Sequence, residues 1–473
     1  MLYWVCLSAL LLCGVLQTCG AEEINIPLAR PNRTERKYHS DTIEEVIANY
    51  TKRMKDKDLA TLFENCFPST LDTTVLRASE QDTFIITGDI NAMWLRDSMF
   101  QVLPYMRFAK RDEKLMEMLH GLVRRHLESV LIDPYANGFN EFANDNHYMV
   151  DNRIPPMPPT VWEGKYELDS LCAVIKLNYE VVTADSGNVT FLQPVVRQWI
   201  KAMEIILDTM SDQQKSTEMQ DNIYPYMFFR RYPHGVFEYY PRKNATGYTG
   251  MIRSAFRPSD DMTSMDFLVP SNIMASVALQ QLMELCGTMA DTFPEYSGRI
   301  GDIQRKARHL RRLVEEGLKV AKSNDEILAY EVDGLGNAVM MDDANYPSLL
   351  STPFLGYNTH NALYQRTRAF LLSDRNPWFF SGKAGKGIGS PHTGKNMIWP
   401  LALIMQALTS HDDSEITEVL ETLKRSAHNT GFMHEAFNMD NVTDFTRPWF
   451  AWANSFFGLL ITDLADRKPH LIF

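Results

Sequence analysis

Residues 89–105, DINAMWLRDSMFQVLPY, are hydrophobic nearly all the way round a helix, yet they carry Arg96 and Asp97 side by side. A helix that is apolar on every side goes into a core, where charges must be paired or must serve something that enters the core. RIGDIQRKARHLRRLVEEGLK, residues 299–319, instead has one apolar stripe and a charged remainder, the pattern of a helix packed on a single side. Helical periodicity covers roughly 42–64, 91–103, 111–131, 165–183, 190–210, 271–290, 299–322, 358–372, 396–409, 412–427 and 447–465, and hairpin signals are few. There are no sustained heptads and no fixed-period repeat, which counts against a coiled coil or an ordinary solenoid. Paired helices of these two kinds suit an all-α closed double ring, with 91–103 of the inner type and 299–322 of the outer.

The loops between the helices are long and rich in Gly, Pro and Asn: DNRIPPMPP, YPHGVFEYYPRKNATGYTG, EVDGLGNAVMMDDANYPS and SGKAGKGIGSPHTGKN. Long ordered loops are more often functional than merely connecting. No low-complexity linker divides the 473 residues, so residues 22–473 are expected to form one large domain. The net charge of -12 argues against a nucleic-acid partner, which needs a basic face.

The N-terminal run MLYWVCLSALLLCGVLQTCGAEE resembles a secretory signal peptide, residues 1–21, cleaved near Gly20 or Ala21. The competing reading is a membrane anchor, but the run is short for a bilayer span and lacks a basic flank, so no stable membrane insertion is expected after cleavage. Asn32, Asn49, Asn188, Asn244 and Asn441 open N-x-[ST] sequons, which together favour passage through the secretory pathway to a secreted, lysosomal, Golgi or endoplasmic-reticulum destination. Beyond the leader only Cys66, Cys172 and Cys286 remain, allowing at most one internal disulfide, so stability must come from packing.

Three segments can carry chemistry. Wound as a helix, the opening stretch puts Trp94, Asp97, Ser98 and Gln101 on one arc, an aromatic beside hydrogen-bonding groups, as a sugar requires. The alternative is a structural Arg96–Asp97 network tying helices together. Pro104 should end or kink this helix. The second segment, RSAFRPSDDMTSMDFLVPSN, places Asp260 beside Asp261, with Asp266 following. Adjacent side chains diverge, so one Asp can enter a cavity while Arg257 or a backbone N–H holds the other; a poorly solvated carboxyl can act as a general acid. The bland alternative is that Ser259 or an Asp caps a helix. The third, TGFMHEAFNMDNVTDFTRPWFAWANSFF, sets His434 and Glu435 in an aromatic context, and two carboxyls from distant loops are what glycoside hydrolysis asks for. Alone, such a Glu is also compatible with a structural ion pair. Residues 381–395 match neither the P-loop nor the dinucleotide fingerprint, and His434-Glu435 does not extend to H-E-x-x-H. No compact Cys/His cluster suggests zinc, while a scattered calcium site of Asp and Asn oxygens stays open.

Taken together, GDINAMWLRDS, KYELDSL, RSAFRPSDD, VPSN, GSPHTGKNMIWP and GFMHEAFN resemble glycoside hydrolase family 125, in the same order from about Glu44 to Asp466. The resemblance implies an (α/α)6 barrel with long active-site loops and an exo-acting, inverting α-1,6-mannosidase that uses no metal or other cofactor. Its substrate would be a mannose-containing oligosaccharide such as an N-glycan. The implied base is Glu435. The implied acid is Asp261 or Asp260, with Asp261 favoured. Trp94, Arg96, Asp97, His392 and Thr393 are implied substrate-binding residues. Two other readings compete: a calcium-dependent α-1,2-mannosidase of N-glycan processing, which chelator would silence, and a secretory protein that binds mannosides without cleaving them.

Overall fold

The computed structural model describes residues 26–473 apart from 150, 221–224, 233–234, 236, 242–243, 323–326, 358–361 and 428. The leader assigned to 1–21 lies outside the described residues. The helices form the expected double ring. Inside, Leu95–Val102 packs on Leu168–Ala184, which packs on Val269–Thr292; its other side packs on Ala451–Arg467, which in turn meets Pro400–Leu408. Every residue of Leu95–Val102 is buried, whereas Ser297–Val320 buries only the stripe through Ile300, Ile303, Ala307, Leu310, Val314 and Leu318. Outside, Glu113–Ile132 packs on Val196–Asp212, and that helix on Ser297–Val320. The ring between Val269–Thr292 and Pro400–Leu408 includes a run of turns at 350–356, whose Phe354 contacts Tyr346 and Phe456. One hydrophobic core extends from Ile26 to Ile472.

Some helices begin with a side-chain cap: Ser40 Oγ accepts from Ile43 N at 3.1 Å, and Asp112 Oδ1 from Leu115 N at 3.0 Å, whereas the outer Val196–Asp212 and Ser297–Val320 have none. Inner helices start at Trp94, Glu167, Leu268, Trp399 and Phe450, none of which caps with its side chain. Neighbouring loops take up those first amides instead. Leu95 N donates to Asn137 O, Leu168 N to Ser254 Oγ and Val269 N to Tyr330 O, at 3.1, 3.0 and 2.8 Å. The first turns of the inner helices and the long loops are therefore tied together at one end of the ring.

Short strands do part of that tying. Met93–Trp94, Gly138–Phe139 and Val161–Glu163 form one antiparallel sheet; Met397–Ile398, Ala436–Asn438 and Asn441–Thr446 form another. Strand pairing at Met93–Trp94 is why the helix expected at 91 begins at Leu95. The stretch expected as one helix over 42–64 is split into Asp41–Arg53 and Lys57–Cys66, with Asp56 capping the second. Beyond Val102 the chain tightens into a 3-10 turn containing Pro104. Cys66, Cys172 and Cys286 are all buried free thiols. Among the described residues no helix is long and apolar enough to cross a membrane.

Candidate active site

At the tied end of the ring two cavities adjoin. The inner one, about 400 Å³, is walled by Trp94, Trp399, Phe450 and Trp452 and receives Asp97, Asp260 and Glu435. The outer one, about 660 Å³, is bordered by Tyr148, Trp162, Arg230 and Tyr232. Trp94, Asp260, His392 and Arg447 border both, whereas Asp261 borders only the outer cavity. Apolar walls carrying a few polar groups are the usual character of a small-molecule site.

Arg96 and Asp97 sit in the first turn of an inner helix, where carboxylates are favoured by the helix dipole. Arg96 Nη1 donates to Glu167 Oε2 at 2.6 Å and Asp169 Oδ2 at 3.0 Å, and its guanidinium lies 5.2 Å over Trp452. Arg96 is thus the buried counter-ion of carboxyls on the next inner helix, as the structural reading expected, while Arg96 and Asp97 both also line the inner cavity. Asp97 Oδ2 lies 3.1 Å from Arg96 Nη2 without hydrogen-bond alignment. Burial raises the Asp97 carboxyl above its ordinary range, outweighing Arg96. The indole N–H of Trp94 and the hydroxyl of Thr87, also on the cavity wall, have no hydrogen-bond partner among the described residues.

The double aspartate diverges as its geometry requires. Asp260 adopts φ 66°, a conformation Asp tolerates better than most residues. Its Oδ1 accepts from Asn137 Nδ2 at 3.1 Å, and its carbonyl accepts from Lys165 Nζ at 2.6 Å. Asp261 turns outward to His392 Nδ1, 3.1 Å away. Arg257, the expected holder of one Asp side chain, instead pairs with Glu331 at 2.6 Å. Asp266 accepts from Thr246 Oγ1 at 2.6 Å, and Ser259 caps no helix.

Glu435 reaches the inner cavity from the loop before strand Ala436–Asn438 and accepts from Arg447 Nη1 at 3.2 Å. Arg447 also grips Asp89 through Nε at 2.9 Å and through Nη2. His434 turns away, stacked on Phe445 at 3.8 Å. Of the other candidates, Ser98 Oγ donates to Trp94 O at 2.7 Å, Gln101 Nε2 to Ile86 O at 3.1 Å, and both are structural. Thr393 borders neither cavity; it accepts from the Trp399 indole N–H at 2.8 Å and so fixes a wall. Sequence reasoning did not single out Asn137, Lys165, Glu167, Arg447 or the Trp399 wall. Lys165 and Glu167 lie in the polar-aromatic segment 160–171, whose composition was the available signal. Among the described residues no group of three His, Cys, Asp or Glu is arranged to hold a metal ion.

A double ring of helices whose loops converge on carboxyls within aromatic walls defines the class of (α/α)6-barrel glycoside hydrolases. Within that class the chain belongs to the metal-independent α-mannosidases of family GH125, whose family profile matches residues 56–462. It is 38% identical to the Meiotically up-regulated gene 157 protein of Schizosaccharomyces pombe, with 95% of this chain and 90% of the relative covered. It is similar, at TM-score 0.80 and 37% identity over 91% of this chain and all of the other, to a Streptococcus pneumoniae metal-independent α-mannosidase solved in a non-productive complex with α-1,6-mannobiose. A glucoamylase from Saccharomycopsis fibuligera, at 10% identity and TM-score 0.51 over 92% of this chain and 97% of its own, shares the fold alone.

Proposed function

We propose that this α-mannosidase is exo-acting and inverting, that it removes non-reducing terminal α-1,6-linked mannose, and that Asp260 is its general acid and Glu435 its general base. One observation carries the assignment: Asp260 and Glu435 line the same inner cavity, and of the two adjacent aspartates only Asp260 borders both cavities, Asp261 facing the outer one alone. An acid at that junction meets the oxygen linking a sugar held inside to its neighbour outside. This favours Asp260 over Asp261, the reverse of the preference that the motif suggested. The linkage reading is supported by the α-1,6-mannobiose bound to the 37% identical relative.

In this mechanism the Asp260 carboxyl protonates the glycosidic oxygen as its bond to the anomeric carbon breaks. Glu435 accepts a proton from water attacking the opposite face of the ring, which requires the two carboxyls to stand about 6.5–9.5 Å apart. Asp97 and the Trp94 indole N–H are available to sugar hydroxyls, and Trp452 and Phe450 to the C–H face. His392 and Arg447 stand at the junction of the cavities, within reach of either sugar. No step calls on a metal ion.

The natural substrate is proposed to be a mannose-bearing glycan met in the secretory pathway, with residues 22–473 acting as one catalytic unit after removal of the leader. All five sequon asparagines are exposed, which supports that route. Asn188 and Asn441 each accept from the hydroxyl of the sequon threonine, at 2.7 and 2.8 Å. The test is release of mannose from α-1,2-, α-1,3- and α-1,6-mannobiose with and without EDTA. Cleavage confined to the α-1,6 isomer and unaffected by EDTA is expected; EDTA-sensitive cleavage of the α-1,2 isomer overturns the reading.

A further inference from the structure

The surroundings of Asp260 hold more acid than their cations can neutralise. Asp97, Glu163, Glu167, Asp169 and Asp260 crowd around Arg96 and Lys165, while Arg230 is engaged by Asp151 through two contacts of 2.6 and 2.8 Å and reaches Glu163 at 3.1 Å. The Glu167 side chain is fully buried. Carboxyls packed this way cannot all ionise. The geometry shows where a proton is kept. Asn137 Nδ2 lies 3.1 Å from Asp260 Oδ1 and 3.3 Å from Glu167 Oε1, so a single amide nitrogen draws the two carboxyls together. Two carboxyls drawn to one amide in a buried site repel each other when both are ionised, and a proton on one of them relieves this.

We propose that Glu167 is a positioning residue that shares one proton with Asp260 and thereby supplies the acid's proton; this rests on Asp260 being the general acid. Burial raises the Glu167 carboxyl well above its ordinary range, despite Arg96. Burial alone would raise Asp260 as well, but Lys165, Arg96 and His392 outweigh it and hold it below. The proton therefore rests on Glu167 between turnovers. It passes to Asp260, which hands that same proton to the glycosidic oxygen, the C–O bond electrons staying with the leaving oxygen. The water oxygen bonds to the anomeric carbon, its proton goes to Glu435, and return of that proton through solvent to the Glu167–Asp260 pair closes the cycle. Asp261, paired with His392, stands outside this exchange.

The competing role for Glu167 is purely architectural, as an anchor for Arg96 at 2.6 Å and for Ser170 Oγ at 3.0 Å. Glu167→Gln separates the two, because a neutral amide donating to Asp260 favours its ionised form. The kcat/KM of wild type and variant is followed against pH on α-1,6-mannobiose, and on 2,4-dinitrophenyl α-mannoside, whose leaving group needs no proton. The expected result is an alkaline limb moved down by about one pH unit, hence about tenfold loss on that limb, with the aryl substrate within about twofold of wild type. An unmoved limb with equal losses on both substrates makes Glu167 an anchor only and overturns the proposal. If Glu167→Gln does not fold, Glu167→Asp, which withdraws the carboxyl from Asp260, is expected to lose about tenfold or more on mannobiose while sparing the aryl substrate; equal losses overturn the proposal here too. Asp260→Asn tests the underlying reading by itself. Normal cleavage of mannobiose by that variant refutes Asp260 as acid, whereas a loss confined to mannobiose leaves only the role of Glu167 to be decided.

Discussion

Glu435 faces the inner cavity from an Arg447 clamp that also holds Asp89. Glu435→Gln preserves that shape and one acceptor while removing the base, so kcat should fall by about 10²–10⁴-fold with sugar binding still measurable by calorimetry. Near-normal turnover would show that the base is elsewhere. The outward aspartate makes a different prediction. Burial lowers the His392 imidazole, but the hydrogen bond and charge of Asp261, with the charges of Asp260 and Glu435, outweigh it and raise it from 6.5 to about 9. A His whose folded value is raised stabilises the fold fully below its unfolded value and loses that contribution as pH rises through the folded one. Urea unfolding of wild type and Asp261→Asn should therefore show a stability gap that is largest below about pH 6.5 and shrinks toward pH 9 and above. The gap should be small, since 38% of the His392 side chain stays open to solvent. A gap independent of pH would contradict the pairing.

At the scale of elements, close approach fixes how the helices meet the loops. A Cβ on Gly121, within Glu113–Ile132, would come 1.9 Å from the Ser79 carbonyl oxygen and 2.6 Å from Thr83 Oγ1. Gly121→Ala should destabilise the protein by about 1–3 kcal/mol in urea unfolding, because backbone must shift to admit the methyl; an unchanged midpoint would show that the loop gives way freely. The helices themselves were readable because their period is local: the apolar-all-round segment with Arg96 became an inner helix, and the charged 299–322 segment an outer one. Their inner starts were not readable. Met93–Trp94 is a strand only because Phe139 and Gly138, more than forty residues on, pair with it. Met227–Arg231, paired in a hairpin with Phe237–Tyr240, alternates exposed and buried residues, a period-two signal that its Gly, Pro and Asn-rich surroundings masked.

Over the whole molecule, the site gathers what the sequence scatters. Trp94, Asp97, Asp260, His392 and Glu435 stand around adjoining cavities although they span most of the chain. Their motifs were legible one by one, but the separation of Asp260 from Asp261 was not. It depends on the left-handed backbone at Asp260 and on partners at Asn137, Lys165 and His392, none of them local to the motif except through folding. The same applies to Arg96, whose neutralising partners Glu167 and Asp169 come from the next inner helix. The most direct test of the central claim, water delivered by Glu435 to the ring face opposite the departing oxygen, is proton NMR of the first turnovers on α-1,6-mannobiose. Initial appearance of β-mannose, followed by slow mutarotation, is the expected result; α-mannose as the first product would contradict it.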